Sequence, residues 1–390
     1  MNIRVLHVYK DYYPPVLGGI EKHLHALAHL QAAQGLDVTV LVTNPAPFPR
    51  GMRTITSSER PTEEGDRRVR IIRAARLFTV ASTPISLAQA WKQLHLETDI
   101  VHLHFPYPPG EVVNYLGRKA KATVITYHSD VIRQRVILRL YRPLLWRVLK
   151  RADAIIASSP GYVESSPFLS RLRERVRVIP LGIDLTPFLG VSQERARRHR
   201  RRLLGNREVP IVLFVGRLRY YKGVDVLLRA LAHVPEAELW IVGTGPQGEE
   251  WKRLARTLGL GERVHFLGDV PEGDLPLYYA AADLFVLPSV SRAEALGLVL
   301  IEAMASGIPV ISTELGTGTS FVNVHGETGL VVPAGDVQAL AAAMRDLLAQ
   351  PEVRARMGRA ARERAVREFR ADLMAARITE VYTDLLTTSQ

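Results

Sequence analysis

Glu294 and Glu302 carry the most informative chemistry in the chain, in the run PSVSRAEALGLVLIEAMASGIPVIST (288–313). The spacing ends a strand at Pro288, leaves Glu294 on a loop and lets Gly297 open a helix that bears Glu302. A glycine at a helix entrance admits a ligand to the free backbone N–H groups there, where the helix dipole favours a phosphate. Carboxylates on either side accept hydrogen bonds from hydroxyls. A diphosphate flanked by hydroxyl-bearing groups describes a nucleotide-sugar. The plain alternative is a solvated loop glutamate and an ordinary helix glutamate. Further upstream, FVGRLRYYKGVDVLLRA (214–230) puts Arg217 just after a strand and Lys222 at the next helix entrance. A forked guanidinium and a point charge converging on one place suit a leaving diphosphate that gains charge as its bond breaks.

The first half offers fewer reactive types. Gly18 and Gly19 stand between a strand and a helix, where a backbone can approach a ligand with no side chain in the way. TYHSD (126–130) ends a strand, the usual place for chemistry in an open α/β sheet, and carries His128 and Asp130. Asp130 is read as orienting His128 or meeting an acceptor. His102 and His104 are read as alternating across their strand, so that only one of them reaches the site. His23, His25 and His29 include an i, i+4 pair, read as surface histidines because no third metal ligand is evident. Glu21 is read as helix-first-turn electrostatics.

The elements that must position these residues are legible as a repeated scheme. Apolar runs at 3–8, 37–43, 69–73, 99–104, 122–128, 153–159 and 176–180 alternate with helical patterns. A second series follows at 210–216, 237–243, 263–268, 282–288, 307–313 and 329–333. Near-continuous apolar strands separated by helices mark parallel sheets covered on both faces. The spacing therefore predicts two doubly wound α/β domains, 1–186 and 187–370, with three closing helices and the last, within 371–390, returning to the first domain.

With those segments in place, the chain resembles the retaining glycosyltransferases of family 4. The E-A-L-G-L-V-L-I-E-A-M-A-S-G-I-P-V run from Glu294 is similar to that family's signature, with Leu296 where the family commonly has Phe. Arg217 and Lys222 match its G-R-x4-K-G element, Gly18 and Gly19 its opening glycine pair, and His128 its histidine near the reacting sugar. The resemblance implies the GT-B fold: two Rossmann-like domains facing across a cleft, nucleotide-sugar donor on the second and glycan or lipid-linked acceptor on the first. It assigns His128, Arg217, Lys222 and Glu294 to the reacting centre. Gly18, Gly19, Gly297, Leu298, Val299 and Glu302 then hold the donor, with Glu302 on the ribose. The GTGTSFVN insert (316–323) is similar to surface-polysaccharide mannosyltransferases and rhamnosyltransferases using GDP-sugars. A nucleotide-sugar epimerase of the same fold is the alternative.

Composition narrows the field. Cys 0 removes structural disulfides, thiolate zinc sites and cysteine nucleophiles. No Asp-x-Asp appears, so no divalent metal is expected on the diphosphate and no cofactor is required. Walker A and Gly-x-Ser-x-Gly sequences are missing. GTGPQG (243–248) reads as a dinucleotide fingerprint, the basis for an NAD(P) oxidoreductase as an alternative, but it follows the second strand of its half and contains Pro246. The net charge of +12 lies almost wholly before residue 185, with 26 basic against 15 acidic residues there and 25 against 24 beyond. Residues 131–151 form a basic amphipathic segment with Arg133, Arg135, Arg139, Arg142, Arg147, Lys150 and Arg151, read as a core-packed helix or a contact with an anionic membrane. The arginine run at 195–202 admits the same two readings. No stacking platform for nucleic acid is present. The apolar run 3–8 is too short for a signal segment, so the chain is expected to be cytoplasmic, peripheral at the inner membrane face.

Overall fold

The computed structural model describes residues 3–16, 18–46, 49–60, 68–117, 119–130, 135–205 and 207–388. The chain divides into two units, one of Met1–Gly182 with Ala371–Gln390, the other of Ile183–Arg370. The first unit therefore ends at Gly182 rather than at residue 186, and its closing helix comes from the far end of the chain.

Among the described residues the first unit has ten strands: β1 (Arg4–Val8), β2 (Asp37–Thr43), β3 (Ile55–Glu59), β4 (Val69–Ala74), β5 (Phe78–Val80), β6 (Thr83–Ile85), β7 (Ile100–Phe105), β8 (Ala122–Tyr127), β9 (Ala154–Ala157) and β10 (Val176–Val178). Its helices are α1 (Gly19–Ala33), α2 (Leu87–His95), α3 (Pro108–Gly117), α4 (Arg135–Arg151) and α5 (Pro160–Ser165). Eight strands form one sheet in the order β10-β9-β8-β7-β1-β2-β4-β3. It is parallel except for β3, which runs antiparallel to β4 at the edge. The central strands β7 and β8 are buried at every position, as a sheet covered on both faces requires.

The sequence pattern places a loop over 45–68, but β3 occupies part of it, and β5 and β6 form a separate hairpin. Both escape a search for apolar runs: ITSSE is polar, with no residue fully buried, and FTV is exposed throughout.

The second unit carries β11 (Ile211–Val215), β12 (Glu238–Val242), β13 (Val264–Gly268), β14 (Leu284–Leu287), β15 (Val310–Glu314) and β16 (Gly329–Pro333). Its helices are α6 (Thr186–Leu189), α7 (Gln193–Leu204), α8 (Val224–Leu231), α9 (Gly248–Thr257), α10 (Leu275–Ala281), α11 (Leu298–Ala305), α12 (Thr319–Val322), α13 (Val337–Ala349) and α14 (Pro351–Glu368). The sheet order β13-β12-β11-β14-β15-β16 is parallel throughout and reverses direction beside β11. Ligands of open α/β sheets bind beyond the carboxyl ends of strands at such a reversal. The turn after β11 carries Arg217 and Lys222, and the turn after β14 carries Glu294 and Gly297. The final helix, α15 (Ala371–Thr388), packs on the first unit through Ala371, Met374, Ala375, Ile378, Tyr382 and Leu386.

Candidate functional site

In the second unit, the two turns meet in an ion pair. Lys222 Nζ lies 2.6 Å from Glu294 Oε2, and both side chains are about nine-tenths buried. Ser289 Oγ donates to the same carboxylate oxygen at 3.0 Å. Burial alone would lower the Lys222 pKa, but Glu294, with smaller contributions from Tyr221 and Glu302, outweighs it and the net shift is upward. Lys222 therefore stays charged across the working pH range. Gly216 beside it has φ +152°, a backbone that L side chains rarely adopt, although a Cβ there would meet Lys222 Cε only at an ordinary 3.5 Å. Gly223 is tighter still, with φ +67° and a hypothetical Cβ 2.0 Å from the Pro288 carbonyl, so the two turns approach only because this residue is glycine.

Arg217 is exposed, and among the described residues its side chain has no hydrogen bond or ion pair. Lys222 is neutralised by Glu294, so the net positive charge of these turns comes from their arginines: Arg217, the exposed Arg219, and Arg292, which bonds the Leu315 and Gly316 carbonyls. Gly297 caps α11 in the left-handed region at φ +80°. The first helical N–H groups, Leu298 and Val299 among them, lie ahead of any intrahelical acceptor, and both residues are half-buried. Four residues into α11, Glu302 accepts a 2.6 Å hydrogen bond from the Tyr279 hydroxyl of α10. Sequence reasoning missed Tyr279 and Ser289, since nothing in their spacing links them to the glutamates.

The 316–323 insert supports this loop from below. Thr317 Oγ1 donates to the Glu294 carbonyl at 2.8 Å, and Gly318 N–H donates to the Ala295 carbonyl at 2.7 Å. A side chain at Gly318 would lie 2.5 Å from Leu296 Cδ1, so the glycine accommodates the residue that stands in place of phenylalanine.

The glycines of 243–248 have a different job. A Cβ at Gly243 would stand 2.3 Å from the Gly216 carbonyl oxygen, and one at Gly245 would stand 2.4 Å from that of Leu218. Close packing of two neighbouring turns accounts for both glycines without a dinucleotide.

In the first unit, Gly18 caps α1 with extended backbone, and Glu21 folds back against it. A Cβ at Gly18 would lie 2.1 Å from Glu21 Oε2. Glu21 is buried, which raises its pKa, so it is more than a solvated first-turn charge.

His128 follows β8 and belongs to a buried line of histidines. His7 Nε2 is 2.8 Å from Gln31 Oε1, His7 Nδ1 is 3.1 Å from His104 Nε2, and His104 Nδ1 is 3.0 Å from His128 Nε2. An amide oxygen only accepts, so His7 carries its proton on Nε2 and accepts at Nδ1. The same alternation then places the proton of His104 and of His128 on Nε2. His128 Nδ1 remains as a bare acceptor, with no hydrogen-bond partner among the described residues. Burial holds all of these rings neutral: His7 is lowered to about 4, and His104 and His128 well below the usual value.

Three expectations need correction. His102 and His104 are two residues apart on β7, so they share a face, and their rings stack with centroids 4.6 Å apart. His102 is held by the Tyr382 hydroxyl of α15 and by Thr126 Oγ1. His23 is 3% exposed rather than superficial, with its ring edge-on to His128 at 5.1 Å. Asp130 does not orient His128, because its Oδ1 accepts from the Tyr127 and Ser166 hydroxyls.

On α4, Arg139, Arg142, Arg147, Lys150 and Arg151 are exposed while Leu145, Val148 and Leu149 are buried. Arg133 lies outside the described residues, as does the side chain of Arg135. Within the 195–202 run, Arg200 is structural, bonded to the Ala281 and Val209 carbonyls and paired with Asp283 at 2.9 Å. Among the described residues no helix is long and apolar enough to cross a membrane.

Two doubly wound parallel sheets, with a buried Lys–Glu pair and a glycine-opened helix at the carboxyl ends of the second, define the chain as a GT-B glycosyltransferase. Comparison with known proteins agrees. Residues 196–364 match the model for glycosyl transferases group 1, and residues 17–187 match that for Glycosyltransferase Family 4. The chain is 41% identical to the D-rhamnosyltransferase WbpZ of Pseudomonas aeruginosa, over 95% of this chain and 93% of that one. It is 38% identical to the O-antigen chain mannosyltransferase C of Escherichia coli, over 98% of this chain and 99% of that one. Sucrose-phosphate synthase from Thermosynechococcus elongatus superposes with a TM-score of 0.81 at 26% identity, covering 99% and 100% of the two chains. The chain belongs to glycosyltransferase family 4.

Proposed function

We propose that the chain transfers a hexose, with mannose from GDP-mannose as the leading donor, to a glycan or lipid-linked acceptor of surface-polysaccharide synthesis, with retention of anomeric configuration and without a divalent metal. The observation that carries this reading is the buried Lys222–Glu294 pair beside the Gly297 helix entrance and the unpaired Arg217. As the bond from the anomeric carbon to the diphosphate breaks, the nucleoside diphosphate leaves with the electron pair. Arg217 and Lys222 take up its growing charge, together with the Leu298 and Val299 N–H groups. The acceptor oxygen forms the new bond, and its proton passes to the departing nucleoside diphosphate. Glu302, steadied by Tyr279, accepts from the ribose hydroxyls, and Glu294 accepts from those of the sugar. Gly18 and Gly19 position the donor, and His128 meets a sugar hydroxyl through its bare Nδ1. No cofactor is needed: fixed cations at the diphosphate do the electrostatic work a divalent ion does elsewhere.

The exposed arginines and lysine of α4, with Leu140 80% exposed among them, suit peripheral contact with an anionic inner-membrane face where a lipid-linked acceptor sits. Pelleting with anionic vesicles but not neutral ones is the expected result there.

The decisive experiment is a thermal-shift panel of GDP, UDP, ADP, their sugar conjugates and NAD(P). Ligand at about 100 times its dissociation constant stabilises by about 2.7 kcal/mol, a readable shift. A shift with one nucleoside diphosphate and its sugar conjugate supports the reading, and a shift with NAD(P) alone overturns it. Lys222→Ala and Glu302→Ala, made separately, are each expected to weaken nucleotide binding and turnover. Nucleoside diphosphate released only when acceptor is present separates transfer from epimerisation. Turnover in EDTA and the anomeric signal of the product test metal independence and retention.

A further inference from the structure

The helix histidines that donor chemistry leaves unused converge on a third ligand. His25 and His29, one turn apart on α1, have ring centroids 4.1 Å apart. Glu59, the last residue of β3, faces both: its Oε2 is 3.4 Å from His29 Nε2 and 3.9 Å from His25 Nδ1.

The proton positions follow from the other bonds of each ring. His29 Nδ1 is 2.9 Å from the His25 carbonyl oxygen, which only accepts, so the proton is on Nδ1 and Nε2 presents its lone pair. His25 bonds the Tyr13 carbonyl, while its Nδ1 has no hydrogen-bond partner among the described residues. Its proton is therefore on Nε2, and Nδ1 is bare. Three lone pairs face one another with no donor between them, an arrangement that a cation relieves.

Both histidine–carboxylate distances fit a shared ion, and all three ligand atoms lie within 4.8 Å of one another. Nitrogen and oxygen ligands at about 2.1 Å from one zinc are at most about 4.2 Å apart, and about 3.4 Å apart at the tetrahedral angle. The side chains of His25 and Glu59 are 30% and 31% exposed, so a cation enters from solvent and a water can complete its shell. The more deeply buried groups His7–His102–His104 and His23–His104–His128 also come within ligand range. There, however, both nitrogens of His7, His102 and His104 are already spent on hydrogen bonds.

We propose that His25 Nδ1, His29 Nε2 and the Glu59 carboxylate bind a divalent transition metal ion of the zinc class. Two imidazoles and one carboxylate favour zinc, copper, nickel or cobalt over magnesium and calcium, which take oxygen ligands. Bound there, the ion ties the polar edge strand β3, which pairs to the sheet through β4, onto the helix that begins at Gly19. Its role is to clamp the fold and is separate from the diphosphate, so it stands independently of the donor and acceptor assignments.

The test uses the full chain stripped with EDTA. Zinc is expected to raise Tm and to bind by calorimetry, cobalt to give the visible absorption of a low-symmetry site, and magnesium and calcium to do neither. His29→Ala and Glu59→Gln, at partly exposed positions outside the apolar core and expected to fold, are each expected to weaken zinc binding more than about 100-fold, since loss of even an outer-shell partner costs 10–100-fold. Equal zinc binding in wild type and both variants would put the ion elsewhere and overturn the proposal, as would absence of zinc binding by the wild type. Both readouts are made without turnover.

Discussion

Acidification from about pH 7.5 to about pH 5.5 is expected to destabilise the first unit selectively, because it holds five neutral histidines that the unfolded chain would protonate. His7, His23, His102, His104 and His128 are all at most 5% exposed. Burial lowers His7 to about 4 and His23 to about 3, and moves the other three well below the ordinary 6.5. A lowered folded pKa means that the unfolded state binds more protons below 6.5, so stability falls as pH drops through that value. One unit below it, each ring costs about 1.4 kcal/mol and the five together about 7 kcal/mol. Glu111 opposes this. Burial raises it to about 7, so the folded state gains a proton first and recovers about 2 kcal/mol over the same interval. Glu21, also raised by burial, acts in the same direction. The balance, about 5 kcal/mol, is comparable to the whole stability of an ordinary domain. Scanning calorimetry across the pH range should resolve a falling first transition beside a nearly constant second, and Glu111→Gln should steepen the fall. A first-unit Tm that holds from neutral to mildly acid pH, or five histidines that titrate near their ordinary value by NMR, would refute the reasoning.

Other expectations follow from the second unit and the histidine line. Lys222→Ala strands the Glu294 carboxylate and should cost about 3 kcal/mol, or roughly 6–12 °C in the Tm of the unit. The double variant Lys222→Met with Glu294→Gln should recover Tm but not turnover, and recovered turnover would sink the diphosphate role of Lys222. Tyr279→Phe should cost about 1 kcal/mol of stability and weaken nucleoside diphosphate binding by freeing Glu302, so an unchanged calorimetric Kd would count against it. Long-range nitrogen–carbon NMR correlations should show His7, His104 and His128 protonated on Nε2, with that uniformity lost in Gln31→Leu. A wild-type His128 protonated on Nδ1 would reverse the deduced polarity.

How much of this was readable in advance depended on what each residue type can signal by itself. The buried parallel strands were legible because both faces are covered and the runs are nearly unbroken in apolar residues. Edge strand β3 and hairpin β5–β6 lack that signal, since their side chains are mainly exposed. The types at the donor site were legible, but the pairing of Lys222 with Glu294 was not, because the partners are brought together by the β11–β14 adjacency across 72 positions. His23 did leave a trace: it falls four and eight residues before Leu27 and Gln31, on the stripe that α1 buries. His102 and His104 needed only the two-residue period of a strand to be placed on one face. Glu59 could not have been attached to the helix histidines, because that contact depends on the antiparallel return of β3.

The first unit is not a continuous piece of chain: α15 is made only after every residue of Ile183–Arg370. That helix supplies the Tyr382 hydroxyl to His102 and fills the first unit's core with Met374 and Ile378. During synthesis the second unit can therefore close upon itself while the first still waits with part of its apolar surface uncovered. The portion translated earliest is the one completed latest. A stalled chain lacking the final stretch would present a finished second unit beside an unfinished first, the kind of intermediate that chaperones recognise.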